Sequence, residues 1–279
     1  MSKILVSGGS GYLGQALIKR LFDNGEIDIR VLSRNEKNLI ELKEKYPVEI
    51  MSGDISDPFT CEKACKGVDR IFHLAAMKHI IMAEKNPREC IKSNILGTLN
   101  ILEQTIKNKP KFIIGISTDK AAKVTGVYGA TKLLGERLFA EYEQLNKDTK
   151  YRVVRYGNVL YSSGSVLCRW KEKLENGGKI IITDPDATRF YWTVDQAIDL
   201  IFECLDNAKD STPRLTDMKT IRTGDLLKAM IEKYAGGREI AVKEIGLQSG
   251  ENLHEEIGDN KLSSDKAPKY TKDEILNLI

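Results

Sequence analysis

Short β-branched runs alternate with amphipathic stretches along the first half of the chain. The runs are "KILVSG" (3–8), "DIRVLSR" (28–34), "VEIMSGD" (48–54), "RIFHLAA" (70–76), "KFIIGIST" (111–118) and "YRVVRYGNV" (151–159). With helical segments between them, such runs predict βαβ units and a parallel sheet covered on both faces. Between the first two, Leu13, Ala16, Leu17, Leu21 and Phe22 recur at helical spacing, and Gly25 supplies the stop. The expected fold is α/β, a Rossmann-type doubly wound parallel sheet with a smaller C-terminal lobe. After residue 160 the rhythm shortens, through "GGKIIITD" and the helical "VDQAIDLIFECLD". Residues 1–160 are therefore expected to form a cofactor-binding Rossmann domain that also carries the catalytic residues. Residues 161–279 are expected to be mainly a substrate-binding lobe, from which segments could return to the sheet. The tail "DNKLSSDKAPKYTKDEILNLI" reads as loosely packed because it is polar.

Composition narrows the function classes. The chain has 43 Lys+Arg against 40 Asp+Glu and a net charge of +3, with both signs interspersed. No basic block points to nucleic acid. The five cysteines, Cys61, Cys65, Cys90, Cys168 and Cys204, form no CxxC motif, so a reducing compartment is expected and not a disulfide framework. The opening "MSKILVSGG" has no signal-peptide pattern, and no stretch approaches the ~20 apolar residues of a membrane span. A soluble cytoplasmic protein is expected, with no membrane or nucleic-acid partner and no bound metal.

Candidate chemistry begins in "VSGGSGYLGQ", where Gly9, Gly11 and Gly14 fit GxGxxG, and Gly8, Gly11 and Gly14 fit the related GxxGxxG. Between a strand and a helix, such a loop lets the backbone approach a pyrophosphate, and the helix N-terminus offers free N–H groups. Some twenty residues on, an NAD enzyme usually carries an acidic residue for the ribose. This strand ends "LSRNE", and Ser33 and Arg34 suit a 2′-phosphate, so NADP is expected ahead of NAD, with Glu36 as the alternative ribose ligand. Asp54 could reach the adenine amine or cap the next helix.

The stretch "GISTDKAAKVTGVYGATK" (115–132) lies at the end of the fifth strand, on the carboxyl edge where open α/β sheets place ligands. Tyr128 and Lys132 share one helix face, and an ammonium near a phenol favours phenolate. Such a Tyr can take a proton from a sugar hydroxyl while hydride leaves the same carbon for nicotinamide.

With "GGSGYLG", "HLAA", "YGATK" and "RYGNV" in order across residues 3–190, the chain resembles the extended short-chain dehydrogenase/reductase family. "TDKAA", "AAMKHIIMAEKNPRECIKSNILGT", "RYGNVLYSSGSV", "ITDPDATRFYWT" and "GENLHE" make it similar to the UDP-N-acetylglucosamine 4,6-dehydratases, most nearly the 5-inverting branch that opens pseudaminic acid synthesis. The resemblance implies a catalytic set of Thr118, Asp119, Lys120, Tyr128 and Lys132. It implies cofactor contacts from Gly8, Ser10, Gly11, Tyr12, Leu13, Ser33, Arg34, Asp54 and Ile55, and from Leu74, Ala75, Ala76, Lys78, Tyr128, Lys132, Tyr156 and Gly157. For a UDP-sugar it implies Lys78, His79, Asn158, Ser165, Val166, Thr183, Arg189 and Glu251, with Arg189 gripping the diphosphate. It also implies at least a homodimer, through the helices containing residues 87–106 and 128–145. Two positions depart from the family: Tyr12 replaces a smaller residue, and Gln248 replaces an Arg expected to help hold the nucleotide.

The chemistry agrees with that resemblance. Oxidation at C4 acidifies the C5 proton, and eliminating water across C5 and C6 needs a base at C5 and an acid at the C6 oxygen. Lys120 and Asp119 can divide those roles if the Lys is neutral and the Asp protonated, states that burial favours. The alternatives are a UDP-sugar 4-epimerase and an NADP-binding regulatory protein without turnover. His73 is expected to be a satisfied strand residue, and Trp170, Tyr191 and Trp192 to serve packing.

Overall fold

A computed structural model describes residues 2–258 and 262–279. Its central sheet has six strands: β1 (Ile4–Ser7), β2 (Ile29–Ser33), β3 (Glu49–Ser52), β4 (Arg70–His73), β5 (Phe112–Thr118) and β6 (Lys150–Tyr156). The order is β3-β2-β1-β4-β5-β6, and every neighbouring pair is parallel. Strand order reverses between β1 and β4, the switch point at which doubly wound sheets open a ligand crevice.

Helices cover both faces. In chain order they are α1 (Tyr12–Asp23), α2 (Glu36–Lys45), α3 (Pro58–Cys65), α4 (Ile80–Lys85), α5 (Pro87–Ile91), α6 (Gly97–Asn108), α7 (Val127–Leu145), α8 (Val166–Glu175) and α9 (Val194–Asn207). Alternation along β1 sends Ile4 and Val6 into one core with Leu17, Leu39 and Ile198, and sends Leu5 into the other with Cys61, Ile101 and Phe139. So α1, α2 and α9 share one face of the sheet, and α3, α6 and α7 the other.

The chain returns to this sheet after residue 160. Helix α9 packs against α1 and β6. Arg214 then runs beside β6, donating its N–H to Val153 O at 2.7 Å and accepting from Arg155 N at 2.8 Å.

The run 151–159, read as one strand, is broken at Gly157. A Cβ there would lie 2.5 Å from Phe190 Cβ, so only glycine lets the chain cross at this point. Beyond it, β7 (Asn158–Val159) leaves the large sheet and pairs with β9 (Thr188–Trp192), which also pairs with β10 (Thr220–Arg222). Strand β8 (Ile180–Ile182) pairs with β11 (Val242–Glu244). The lobe core joins Trp170, Leu174, Ile182, Tyr191 and Leu226 with Ile275. Trp170, Tyr191 and Trp192 are all buried.

The tail is not loose, contrary to its polar composition. Ser264, Ala267 and Ile275 are buried, and α11 (Lys272–Leu278) packs on α10 (Thr223–Tyr234). A few well-spaced apolar residues suffice to dock it. Residues 259–261 of that tail lie outside the described residues.

Candidate active site

The glycine loop presses against the end of β4. Gly8 has φ +73°, and a Cβ there would stand 2.7 Å from Ala75 N. At Gly14 it would stand 2.5 Å from Gly9 Cα. Side chains are thus excluded from a backbone cradle that leads into α1. Tyr12 opens that helix behind Gly11, which provides no side-chain cap, so the first N–H groups are left to an anion. The cradle fits a dinucleotide pyrophosphate. Leu13, half-buried behind it, packs against the core.

At the end of β2, Ser33 Oγ accepts a hydrogen bond from Ser10 Oγ at 2.6 Å. Arg34 is 62% exposed and reaches Asp54 Oδ2 at 3.4 Å. Glu36 is turned away to accept from Ser52 Oγ at 3.4 Å. Asp54 caps no helix: Oδ1 accepts from Ser56 N at 2.8 Å, and the cap of α3 is Asp57. Burial raises the Asp54 carboxyl, but hydrogen bonds from Ser56 and the Arg34 charge outweigh it and leave the group below its usual range. The side chain of Ile55 packs against Gly97 in the core, and its carbonyl accepts from Asn100 Nδ2.

The segment Leu74–Lys78 is fixed by a residue the sequence did not flag. Asn94, in a π-helical turn between α5 and α6, accepts from Met77 N at 2.7 Å and donates to Met77 O at 3.0 Å and to Thr131 Oγ1 at 3.0 Å. It ties the cofactor-side loop to the helix bearing Tyr128. His73 is fully engaged between Ser7 Oγ and Thr98 Oγ1, and burial with the nearby Lys132 charge lowers it to about 3.

Thr118 ends β5, and the chain turns through Asp119 and Lys120. Asp119 is 0% exposed: its Oδ1 accepts from Thr118 Oγ1 at 2.7 Å, Lys120 N at 3.0 Å and Lys120 Nζ at 3.0 Å. Its Oδ2 is buried with no partner among the described residues. Lys120 Nζ also lies 3.5 Å from Glu255 Oε1. Burial acts to lower the Lys120 amine, yet Asp119 and Glu255 raise it above its ordinary value. The expectation that burial favours a neutral Lys is therefore not met in this arrangement, because two carboxylates overcome desolvation.

Tyr128 and Lys132 sit in the first turns of α7. Desolvation pushes the Tyr128 hydroxyl up to about 12, and the ammonium opposing that is Lys120, not Lys132 as the helix spacing suggested. Lys132 is lowered to about 8 by desolvation, against the pull of Glu136. It faces a small, partly open pocket of about 20 Å³ lined also by His73, Asn94, Thr98 and Glu136, room for one water. The start of α7 has no cap of its own. Glu84, on α4, accepts from Val127 N at 2.6 Å and from Ser249 Oγ at 3.3 Å, joining that helix end to the C-terminal loop.

On the substrate side, Lys78 and His79 reach the surface but are partly desolvated in the cleft. That desolvation lowers both, and the Lys78 and Arg169 charges lower His79 further. The His79 ring lies against Gly164, just before Ser165 caps α8, whose first residue is Val166. Asn158 is held in β7 opposite Tyr191, and Tyr156 stacks on Trp192 with centroids 6.3 Å apart. Thr183 follows β8 in the lobe. Arg189 faces inward: Nη1 donates to Thr188 O at 2.9 Å and Leu253 O at 3.0 Å, and Nε lies 3.8 Å from Glu255 Oε1. Glu251 closes a turn on Gln248 N at 3.0 Å, and the residue of "GENLHE" that reaches Lys120 is Glu255. The signal is present in that motif, four residues past Glu251.

The sequence profile of the polysaccharide biosynthesis protein family matches residues 4–275. The chain belongs to this family. Within it, the chain is 36% identical over 262 residues to a UDP-N-acetylglucosamine 4,6-dehydratase (inverting) of Campylobacter jejuni, covering 90% of this chain and 76% of that one. It is 38% identical over 264 residues to an uncharacterised membrane protein of Methanocaldococcus jannaschii, 91% of this chain and 79% of the other. Among solved structures, Pen from Bacillus thuringiensis superposes with a TM-score of 0.95 at 31% identity, over 100% of this chain and 96% of that one. Among the described residues of this family member, no helix is long and apolar enough to cross a membrane.

Proposed function

We propose that this polysaccharide biosynthesis family protein is a nucleotide-sugar 4,6-dehydratase, converting UDP-N-acetylglucosamine to a UDP-2-acetamido-2,6-dideoxy-4-hexulose with inversion at C5. The observation that carries the reading is the buried Asp119–Lys120 pair, whose Oδ2 has no partner among the described residues, set at the end of β5 beside Tyr128. A bound nicotinamide supplies hydride acceptance at C4 and hydride return at C6. Tyr128 takes the C4 hydroxyl proton, helped by the Lys120 charge. Asp119 and Lys120 then act as acid and base across C6 and C5. The ion pair holds the same number of protons as a neutral amine with a carboxylic acid, so transfer along the 3.0 Å contact readies both groups. Incubation with UDP-N-acetylglucosamine in D₂O, followed by NMR and mass analysis, tests this. A product one water lighter, with deuterium at C5 and inverted configuration, is expected. An isomer of unchanged mass would instead make the protein a 4-epimerase.

NADP is the proposed cofactor, supported by Ser33 and the exposed Arg34 in place of an acidic ribose ligand. Arg34→Ala should weaken NADP by about tenfold or more and NAD far less, since a charged hydrogen bond contributes roughly 1.5–3 kcal/mol. Equal losses for both would reverse the assignment. The proposed setting is the cytoplasm, and the proposed assembly is at least a homodimer. Ile91, Leu96 and Leu134 are 47%, 46% and 54% exposed on the helices that would pair. A monomeric mass by light scattering at micromolar concentration would remove that assembly.

A further inference from the structure

Glu255 has no role in the scheme above, yet it is 1% exposed and its carboxylate is aimed at the catalytic amine. Its Oε1 stands 3.5 Å from Lys120 Nζ and 3.8 Å from Arg189 Nε, and its Oε2 accepts from Asn252 Nδ2 at 3.1 Å. Its backbone is clamped by Ser264: Glu255 N donates to Ser264 Oγ at 2.9 Å, and Ser264 N donates to Glu255 O at 2.8 Å. A buried carboxylate persists only when paired, and the nearest cation here is the residue that must exchange a proton. The clamp comes from the C-terminal segment, and the amine from the end of β5.

We infer that Glu255 is a positioning residue for the elimination step: it fixes the Lys120 ammonium beside Asp119 and keeps the proton on nitrogen until substrate enters. This rests on the dehydratase reading. The other groups facing Lys120 are Asp119 on its own turn, Tyr128 on α7, Glu84 on α4, and Arg189 and Tyr191 on β9. Of the two carboxylates that raise the amine, Asp119 is the reacting partner and Glu255 is the spectator that sets the field. Arg189 sits behind Glu255 and tempers it.

Glu255→Gln removes the charge and keeps an acceptor for Asn252. The Cε carbon signal of Lys120, assigned by NMR with Lys120→Arg, should titrate in the ligand-free protein at a pH lower by about one unit or more. With substrate, the acid limb of the dehydration profile should move the same way, while C4 oxidation still occurs in a single turnover. Glu255→Asp keeps the charge and should preserve the parental titration, which decides the matter if the Gln variant does not fold. An unshifted Lys120 titration in folded Glu255→Gln, or a shifted one in Glu255→Asp, overturns the inference. The titration uses no substrate. A parent protein that yields no 6-deoxy product would therefore overturn the dehydratase reading alone.

Discussion

Two buried ionic clusters lie against α7. Under its middle, Glu136 accepts from Arg155 Nε at 3.0 Å, Arg155 Nη2 at 2.6 Å and Ser117 Oγ at 2.5 Å, so both carboxylate oxygens are taken. Ahead of its N-terminus, Asp119, Lys120, Glu255 and Arg189 meet at 3.0–3.8 Å, and one Asp119 oxygen has no partner among the described residues. The first draws only on the sheet and its own helix. The second joins the end of β5 to the C-terminal segments. A closed bidentate pair is what a scaffold needs, whereas a buried oxygen without a partner costs about 1–3 kcal/mol and persists where a ligand completes it. Burial and charge are common to both clusters, and satisfaction separates them.

That contrast breaks first at the reacting cluster. Tyr128→Phe should abolish formation of the 4-keto sugar, and with it all C5 exchange in D₂O. Lys120→Ala and Asp119→Asn should still allow C4 oxidation, so reduced-cofactor absorbance accumulates in a single turnover without a 6-deoxy product. Their overall rate should fall by about 10² to 10⁴, the usual contribution of one positioned acid or base. Near-parental dehydration by both variants would reduce the pair to a buried turn.

The closed cluster should respond in stability instead. Glu136→Gln leaves the Arg155 guanidinium buried opposite a neutral group, and breaking one side of such a pair costs about 3–5 kcal/mol. The denaturant midpoint should drop accordingly. If instead the protein keeps its stability and loses turnover, Glu136 belongs to the chemistry through Lys132, and the distinction between the clusters fails.

Much of the scaffold was legible in the sequence because its determinants are local. The alternation in "KILVSG", the glycines at Gly8 and Gly14, and the helical spacing of Leu17 and Leu21 each act within a few residues. The Asp119–Lys120 pair was legible for the same reason. What was not legible is the set of partners brought in from afar. Nothing near Lys120 in sequence announces Glu255, whose Oε1 stands 3.5 Å from the amine. Asn94 carries no local signal, since its work is to clip a backbone seventeen residues away. The tail misled because hydrophobic content averaged over a segment hides the few residues, such as Ile275, that dock it.

The smallest effect should come from Glu84, which links the two regions without belonging to either cluster. Its carboxylate caps α7 from outside at Val127 N and also holds Ser249, so it places the Tyr128 turn relative to the C-terminal loop. A negative group at a helix N-terminus is worth about 0.3–1 kcal/mol. Glu84→Gln keeps an acceptor and loses that charge, so global stability should drop by no more than about 1 kcal/mol. Its more telling consequence is expected in kinetics: the KM for the UDP-sugar should rise while kcat holds, because the loop over the cleft loosens and the Asp119–Lys120–Glu255 contacts stay intact. If kcat falls and KM does not, the cap sets the Tyr128 geometry itself, and the reacting cluster extends one helix further than its buried ion pairs indicate.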